Sequence, residues 1–320
     1  MRGPIARRRM LMACLGLLMA GAAKADRSRR WRVAYVGSGR TTVAVPILTD
    51  ALLQLGYEEG KNLILDVRAA NGQYALLPDL LKEVVGLKPD VIVAEATPAV
   101  AAAQKATSTI PIVMSPASDP VGSGFVESFA RPGGNITGVA NMFGDATTKT
   151  LDIIRLVLPN AKMIGVLISN NPTHPRLVEV AKQAAASMAI SAERFVAPNP
   201  EDLERAFAEM KSANCDAVYV LADPVRPAIP GIALKSRLPA IYQVNTYVTE
   251  GGLMSYGPDV PGFFNLAARY VDRILKGGKP AEIPVEQPTK FLFAVNLRTA
   301  KELGLTIPES VLLMADKVIE

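Results

Sequence analysis

Asp90-Val91-Ile92-Val93-Ala94-Glu95-Ala96-Thr97-Pro98-Ala99 decides how the rest of this chain is read. Val91–Ala94 is an unbroken apolar run, without the alternation of a strand that faces water on one side. A strand of that kind is covered on both faces, as parallel strands are. Pro98–Ala106 then reads as a small-residue helix, with proline in the first turn, where its missing N–H costs nothing. Strand, tight turn and helix follow one another directly, which is the unit of an α/β fold.

The same unit repeats on either side. Before it, Trp31–Val36 and Leu63–Val67 read as strands. Val43–Leu55 reads as a helix with Leu48, Leu52 and Leu55 on one face, stopped by Gly56. Tyr74–Val85 is a second helix. After it come strands at Ile112–Met114 and Ile136–Ala140. The pattern then restarts with helix Thr148–Val157, strand Met163–Ile168, helix Arg176–Met188, strand Ser191–Val196, helix Asp202–Lys211 and strand Ala217–Leu221. Strands at Ala240–Tyr242 and Gly252–Tyr256, helix Phe263–Leu275, strand Phe291–Val295 and helix Thr299–Leu303 complete it. Two runs of this alternation predict two doubly wound α/β lobes.

Doubly wound sheets bind ligands outside the carboxyl ends of their strands. Those ends carry Ser38-Gly39, Glu95-Ala96-Thr97, Ser115-Pro116-Ala117, Ser169-Asn170-Asn171 and Ala222-Asp223. Any one of these also suits an ordinary cap or turn. Five of them, drawn from two halves, favour a cleft that captures a small polar ligand by hydrogen bonds.

The N-terminus reads as an export signal. Arg2, Arg7, Arg8 and Arg9 precede the apolar Met10–Ala20, and Ala23-Lys24-Ala25 is a small-x-small cleavage site. The chain holds 35 Lys and Arg against 30 Asp and Glu, and five of the basic residues lie in 1–25. Cleavage after Ala25 leaves 30 against 30, so no global basic field attracts nucleic acid. Leu11-Met12-Ala13-Cys14 is a poor lipobox, which argues against a lipid anchor at Cys14. Sec export fits better than a twin-arginine route.

The remaining cysteine, Cys215, has no partner for a disulfide after cleavage and suits a small buried position. His174 is the only histidine, and its setting at a turn and helix start reads as an exposed cap residue. A Cys/His zinc site cannot be built from one of each. No dinucleotide fingerprint, Walker loop or nucleophile elbow occurs. The sequence therefore implies neither cofactor nor metal, and an enzyme would depend on carboxylates such as Glu95 and Asp223.

An ordered set of short motifs adds to this. They are Leu55-Gly56-Tyr57-Glu58-Glu59-Gly60-Lys61-Asn62, Thr97-Pro98-Ala99 after its strand, and Asp119-Pro120-Val121-Gly122. Arg131-Pro132-Gly133-Gly134-Asn135-Ile136-Thr137-Gly138 and Gly251-Gly252-Leu253-Met254-Ser255-Tyr256-Gly257 follow. Gln287-Pro288-Thr289-Lys290-Phe291 and Asn296-Leu297-Arg298-Thr299-Ala300-Lys301 close the set. In that order, over about residues 31–320, the chain resembles the ABC-transporter substrate-binding proteins that include the tryptophan/tyrosine-type binders.

The resemblance implies a type I periplasmic binding fold: two Rossmann-like lobes with parallel sheets, joined by three crossing segments. The crossings are expected near Val139–Phe143, Tyr256–Pro261 and Pro284–Phe291. Lobe one would comprise 26–140 with 258–286, and lobe two 141–257 with 287–320. Function would be capture of a solute, an amino acid with aromatic ones favoured, by hinge closure in the periplasm. Delivery would go to the transmembrane permease of an importer, a cytoplasmic ATPase acting indirectly, with the binding protein a monomer that meets the membrane only through the permease. A periplasmic sensor subunit is the alternative use of the same lobes. Carried onto this chain, Thr97, Ser115 and the Ala117 N–H would hold a ligand carboxylate and Asp223 its ammonium. Ser38, Asn141, Asn170 and Tyr256 are further ligand-binding candidates, whereas Asp119 suits a turn cap better. One departure stands out. After Ala222-Asp223-Pro224, the stretch Val225-Arg226-Pro227-Ala228-Ile229-Pro230-Gly231 cannot make the family's full helix and is several residues short. That puts the placement of Asp223, and the family's usual ligand, in question.

Overall fold

The computed structural model describes residues 29–141, 143–223, 228–287 and 289–320. The expected signal segment, Cys14 and Pro224–Pro227 lie outside the described residues.

The first sheet contains β1 (Trp31–Gly37), β2 (Leu63–Ala69), β3 (Val91–Glu95), β4 (Ile112–Ala117) and β5 (Ile136–Ala140), in the order β2-β1-β3-β4-β5. Every pairing in it is parallel. The apolar runs explain this: the central β3 presents Val91, Ile92, Val93 and Ala94, all fully buried. Helix α1 (Ala44–Gln54) covers one face, and α2 (Leu77–Gly86) and α3 (Ala96–Ala106) cover the other.

The second half supplies α4 (Phe143–Val157), β6 (Met163–Ile168), α5 (His174–Ser187), β7 (Ser191–Val196), α6 (Leu203–Ser212), β8 (Ala217–Val220), α7 (Ile229–Lys235), β9 (Ala240–Tyr242), α8 (Thr246–Thr249) and β10 (Met254–Pro258). Then follow α9 (Val260–Leu275), β11 (Phe291–Asn296), α10 (Leu297–Leu303), α11 (Glu309–Leu312) and β12 (Lys317–Ile319). The second sheet runs β12-β11-β10-β9-β8-β6-β7 and is parallel except between β10 and β11. The exception follows from the route of the chain, because β11 enters from the opposite side after a return from the first lobe.

Helix α9 follows a strand of the second sheet, yet packs on the first. Its Phe263, Ala267, Ala268 and Val271 share a core with Tyr35, Leu48, Leu52, Val91 and Val93. The chain thus crosses between lobes three times: after β5, after β10 and before β11. The crossings are tied together. The Ala140 N–H donates to the Glu286 carbonyl (2.9 Å), the Glu286 N–H to the Gly138 carbonyl (3.0 Å), and the Asp259 N–H to the Lys290 carbonyl (3.2 Å).

Three differences from the sequence reading have simple causes. Strand β12 and helices α8 and α11 are three or four residues long, below the span at which periodicity is legible. Helix α7 forms despite Pro230 and Gly231, because Pro230 occupies its first turn, but it spans only seven residues. His174 is not exposed: its side chain is buried, for a reason that becomes clear at the cleft.

Candidate functional site

The carboxyl ends of both sheets border one cavity of about 270 Å³. Its polar lining includes Arg40, Glu95, Thr97, Ser118, Asn141 and Asp223. Its apolar lining includes Phe143, Leu177, Val244, Tyr247, Val260 and Phe264. Such a combination suits a ligand with one polar end and an apolar body.

Asp223 is the most heavily supported side chain there. It follows β8, and its carboxylate Oδ2 accepts from the Ser169 hydroxyl (2.5 Å) and from the Tyr74 hydroxyl (3.4 Å). Its backbone carbonyl accepts from the Tyr247 hydroxyl (3.0 Å). His174 supports it at one remove. The Ser169 N–H donates to His174 Nδ1 (2.9 Å), and Nε2 lies 3.1 Å from the Ala222 carbonyl. A nitrogen that accepts from a backbone N–H carries no proton, so the proton sits on Nε2 and donates to Ala222. A neutral, buried His174 thus joins the ends of β6 and β8. Gln243 fixes the same corner: its Oε1 accepts from the Ala222 N–H (2.7 Å), and its Nε2 donates to the Tyr219 hydroxyl (2.6 Å). Burial pushes the Tyr219 phenol up to about 12, which keeps it a neutral acceptor.

The opposite wall belongs to the first lobe. Ala96, at the first turn of α3, has φ +66°, a left-handed conformation that costs a non-glycine residue about 1–3 kcal/mol. Strain of this kind persists only where the surroundings over-determine it. Here Ser38 does so: its hydroxyl donates to the Glu95 carbonyl (2.9 Å) and accepts from the Ala99 N–H (3.1 Å). Thr97 accepts from the Ser118 N–H (2.9 Å), and Asn141 is hydrogen-bonded to the Ser118 hydroxyl (2.8 Å).

Glu95 turns its carboxyl into this wall. Burial raises its pKa to about 7 against the opposing effect of hydrogen bonds from the Gly39 and Ser38 backbone N–H groups, and the charge on Asp223 raises it further. The folded chain therefore holds the Glu95 proton more tightly than the unfolded chain. Stability from this group is complete below the unfolded value of 4.5 and declines as pH rises through about 7. The expected loss between about pH 5 and pH 8 is on the order of 3 kcal/mol. Urea unfolding of wild type and Glu95→Gln at both pH values checks this, with the variant showing the smaller slope.

Of the residues singled out from sequence, Thr97, Asn141 and Asp223 line the cavity. Five others do not. Ser38 lies beneath α3. Ser115 is buried, its hydroxyl 3.4 Å from the Phe263 carbonyl. Ala117 is buried, and its carbonyl accepts from the Asn141 N–H (2.9 Å). Asn170 is exposed on the loop after β6, whereas its neighbour Asn171 lines the cavity. Tyr256 stacks on Phe291 with ring centroids 5.6 Å apart, beside the crossings. Sequence reasoning passed over Ser118, Gln243, Arg40, Tyr74 and the buried role of His174. Only the position of Ser118, just past β4, hinted at the cleft.

Contacts among the described residues cross the mouth between lobes. One is the Tyr74–Asp223 hydrogen bond. Another is an ion pair between Arg176 of α5 and Asp119 of the loop after β4. Asp119 also accepts from the Gly122 N–H (3.2 Å), so it caps its turn and pairs across the cleft.

Two doubly wound lobes, three crossings and one cavity bordered by both sheets define a type I periplasmic binding fold. Residues 40–319 match the ABC transporter substrate binding protein family, and the chain belongs to it. It is 26% identical over 260 residues to a tyrosine-binding protein of Clostridioides difficile (strain R20291), covering 80% of this chain and 74% of that one. It is similar to a solved conserved domain protein of Vibrio cholerae O1 biovar El Tor (31% identity, TM-score 0.85, 91% of this chain and 100% of that one). It is also similar to an ABC domain of Streptococcus pneumoniae solved in complex with L-Trp (28% identity, TM-score 0.84, 91% and 100%). Among the described residues no helix is long and apolar enough to cross a membrane, and no group of three or more His, Cys, Asp or Glu could hold a metal.

Proposed function

We propose that this protein is the extracytoplasmic solute-capturing component of an ABC importer, not an enzyme. It takes a small amine-bearing solute into the interlobe cleft and delivers it, after closure, to a membrane permease. The observation that carries this reading is a buried carboxylate, Asp223, held by Ser169 at the edge of a cavity lined from both lobes. A carboxylate so oriented suits an ammonium, as a charge-assisted hydrogen bond shielded from water. The relatives that bind tyrosine and tryptophan support amino acids and their derivatives as the class. Thr97 and Ser118, with Arg40, form the polar surface for the ligand's other end, and Phe143, Leu177 and Tyr247 the apolar one.

In this reading lobe one is 26–140 with 258–286 and lobe two is 141–257 with 287–320. The segment 1–25 directs export and is cleaved after Ala25, and the mature protein acts as a monomer. A ligand that touches both walls favours the closed form by its differential affinity for it. The Arg176–Asp119 pair adds little to closure, since exposed ion pairs contribute about 0–1 kcal/mol.

Thermal unfolding of residues 26–320 against a panel of aromatic amino acids, amines, sugars and carboxylates tests the reading. A ligand at about 100 times its Kd adds about 2.7 kcal/mol, a readily measured rise in Tm. Stabilisation is expected from amine-bearing members only. Stabilisation by sugars or carboxylates alone would refute the amine assignment.

A further inference from the structure

Amino-acid capture needs one carboxylate for the ammonium, yet this cleft has more. Glu95 lines the cavity from the first lobe, its carboxyl accepting from the Gly39 N–H (3.3 Å), Asp223 lines it from the second, and Glu250 lies on its border. Among the described residues, Arg40 is the one cation in the lining. Tyr35 beneath Glu95, Tyr74 of the same lobe donating to Asp223, Tyr247 behind Asp223, and the neutral His174 that braces Ser169 are further ionisable groups at this place, with the Arg176–Asp119 pair at the mouth. The phenols are neutral near pH 7. With the carboxyls ionised, the lining is three negative charges against one positive.

We propose that Glu95 and Asp223 together clamp one ligand ammonium between the lobes, so that the cleft selects small primary amines of net positive charge over zwitterions. This rests on the solute-capture reading above and narrows its ligand class. Two carboxylates on opposite lobes repel as the cleft closes, and the repulsion grows as water leaves. An ammonium between them turns that repulsion into two attractions, so closure depends on the cation. A zwitterion brings a carboxylate into the same negative lining, where only Arg40 offsets it. The apolar walls at Phe143, Leu177 and Phe264 then hold an uncharged body.

The clamp couples binding to protons. Glu95 shares its proton with solvent near neutral pH when the cleft is empty. An ammonium favours the ionised form, so binding expels that proton and tightens as pH rises.

The test is calorimetric titration of residues 26–320 with three probes of one body: tyramine (a cation), L-tyrosine (a zwitterion) and 3-(4-hydroxyphenyl)propionate (an anion). Titrations at about pH 6 and pH 8, in two buffers of different ionisation heat, report affinity and proton release. Tyramine should bind at least about tenfold more tightly than L-tyrosine at the higher pH, and the propionate should not bind. Tyramine affinity should rise about tenfold between the two pH values, with up to one proton released. In Glu95→Gln the rise and the release should vanish, with the circular dichroism unchanged. L-Tyrosine equal to or tighter than tyramine, or a pH response that survives in Glu95→Gln, overturns the clamp and leaves solute capture standing. Failure of all three probes to bind overturns the clamp and the amine reading together.

Discussion

Asp223→Asn is expected to weaken amine binding at least about a hundredfold while leaving the fold intact. Asparagine keeps the shape and can still accept from the Ser169 hydroxyl, but it removes the charge. Truncating one partner of a buried charge pair at a binding site costs about 2–5 kcal/mol, because the ammonium left behind stays desolvated and unpaired. The surroundings sharpen the expectation. Asp223 is held by Ser169, Ala222 is fixed by Gln243 and His174, and Tyr247 clamps the Asp223 carbonyl. A site so immobilised has little freedom to re-form around a neutral amide. Titration with an amine that stabilises the wild type measures the change. An affinity within threefold of wild type would remove Asp223 from the role assigned to it.

Gly257→Ala is expected to destabilise the protein strongly. Gly257 lies in β10, at the second crossing, and a Cβ there would stand 1.8 Å from the Gln243 carbonyl oxygen. The obstacle is backbone, so no side-chain rotation relieves it. Overpacking typically costs about 1–3 kcal/mol, and a backbone obstacle puts this case at the upper end. The strain would fall on Gln243, whose side chain fixes Ala222 beside Asp223. Ligand affinity should therefore drop as well. Urea unfolding with an unchanged slope and a lowered midpoint, together with weakened binding, is the expected pair of results. A midpoint equal to wild type would show that β10 has room the geometry denies.

The fold was legible because β1, β3, β4, β6 and β8 are apolar on both faces, and such strands require helices on both sides of their sheet. Val91–Ala94 and Met163–Ile168 could be placed almost to the residue. The antiparallel entry of β11 was not legible, because strand direction depends on where the chain crosses, and Phe291–Val295 carries no mark of direction. The site was legible to the level of loops. The expected strand ends do border the cleft, but which side chain turns inward is set by local geometry. Asn170 and Asn171 differ by one position, and only Asn171 lines the cavity. Ser115 is three positions short of Ser118, which lines the cavity. His174 was misread as exposed because its partners, the Ser169 N–H and the Ala222 carbonyl, lie just past β6 and β8, two strands that become neighbours only in the folded sheet. The same long-range pairing hid Gln243.

The shortened stretch after Asp223 did not remove that residue from the cleft. The described part of it forms the seven-residue α7, with Pro230 in its first turn, and Asp223 still borders the cavity.

A crystal structure of residues 26–320 grown with an amine that raises Tm tests the central claim most directly. The account predicts the ligand enclosed between the lobes, its nitrogen about 3 Å from the Asp223 carboxylate, and its body against Phe143, Leu177 and Tyr247. A ligand seated elsewhere on the molecule, or in the cleft with its amine turned away from Asp223, would contradict it.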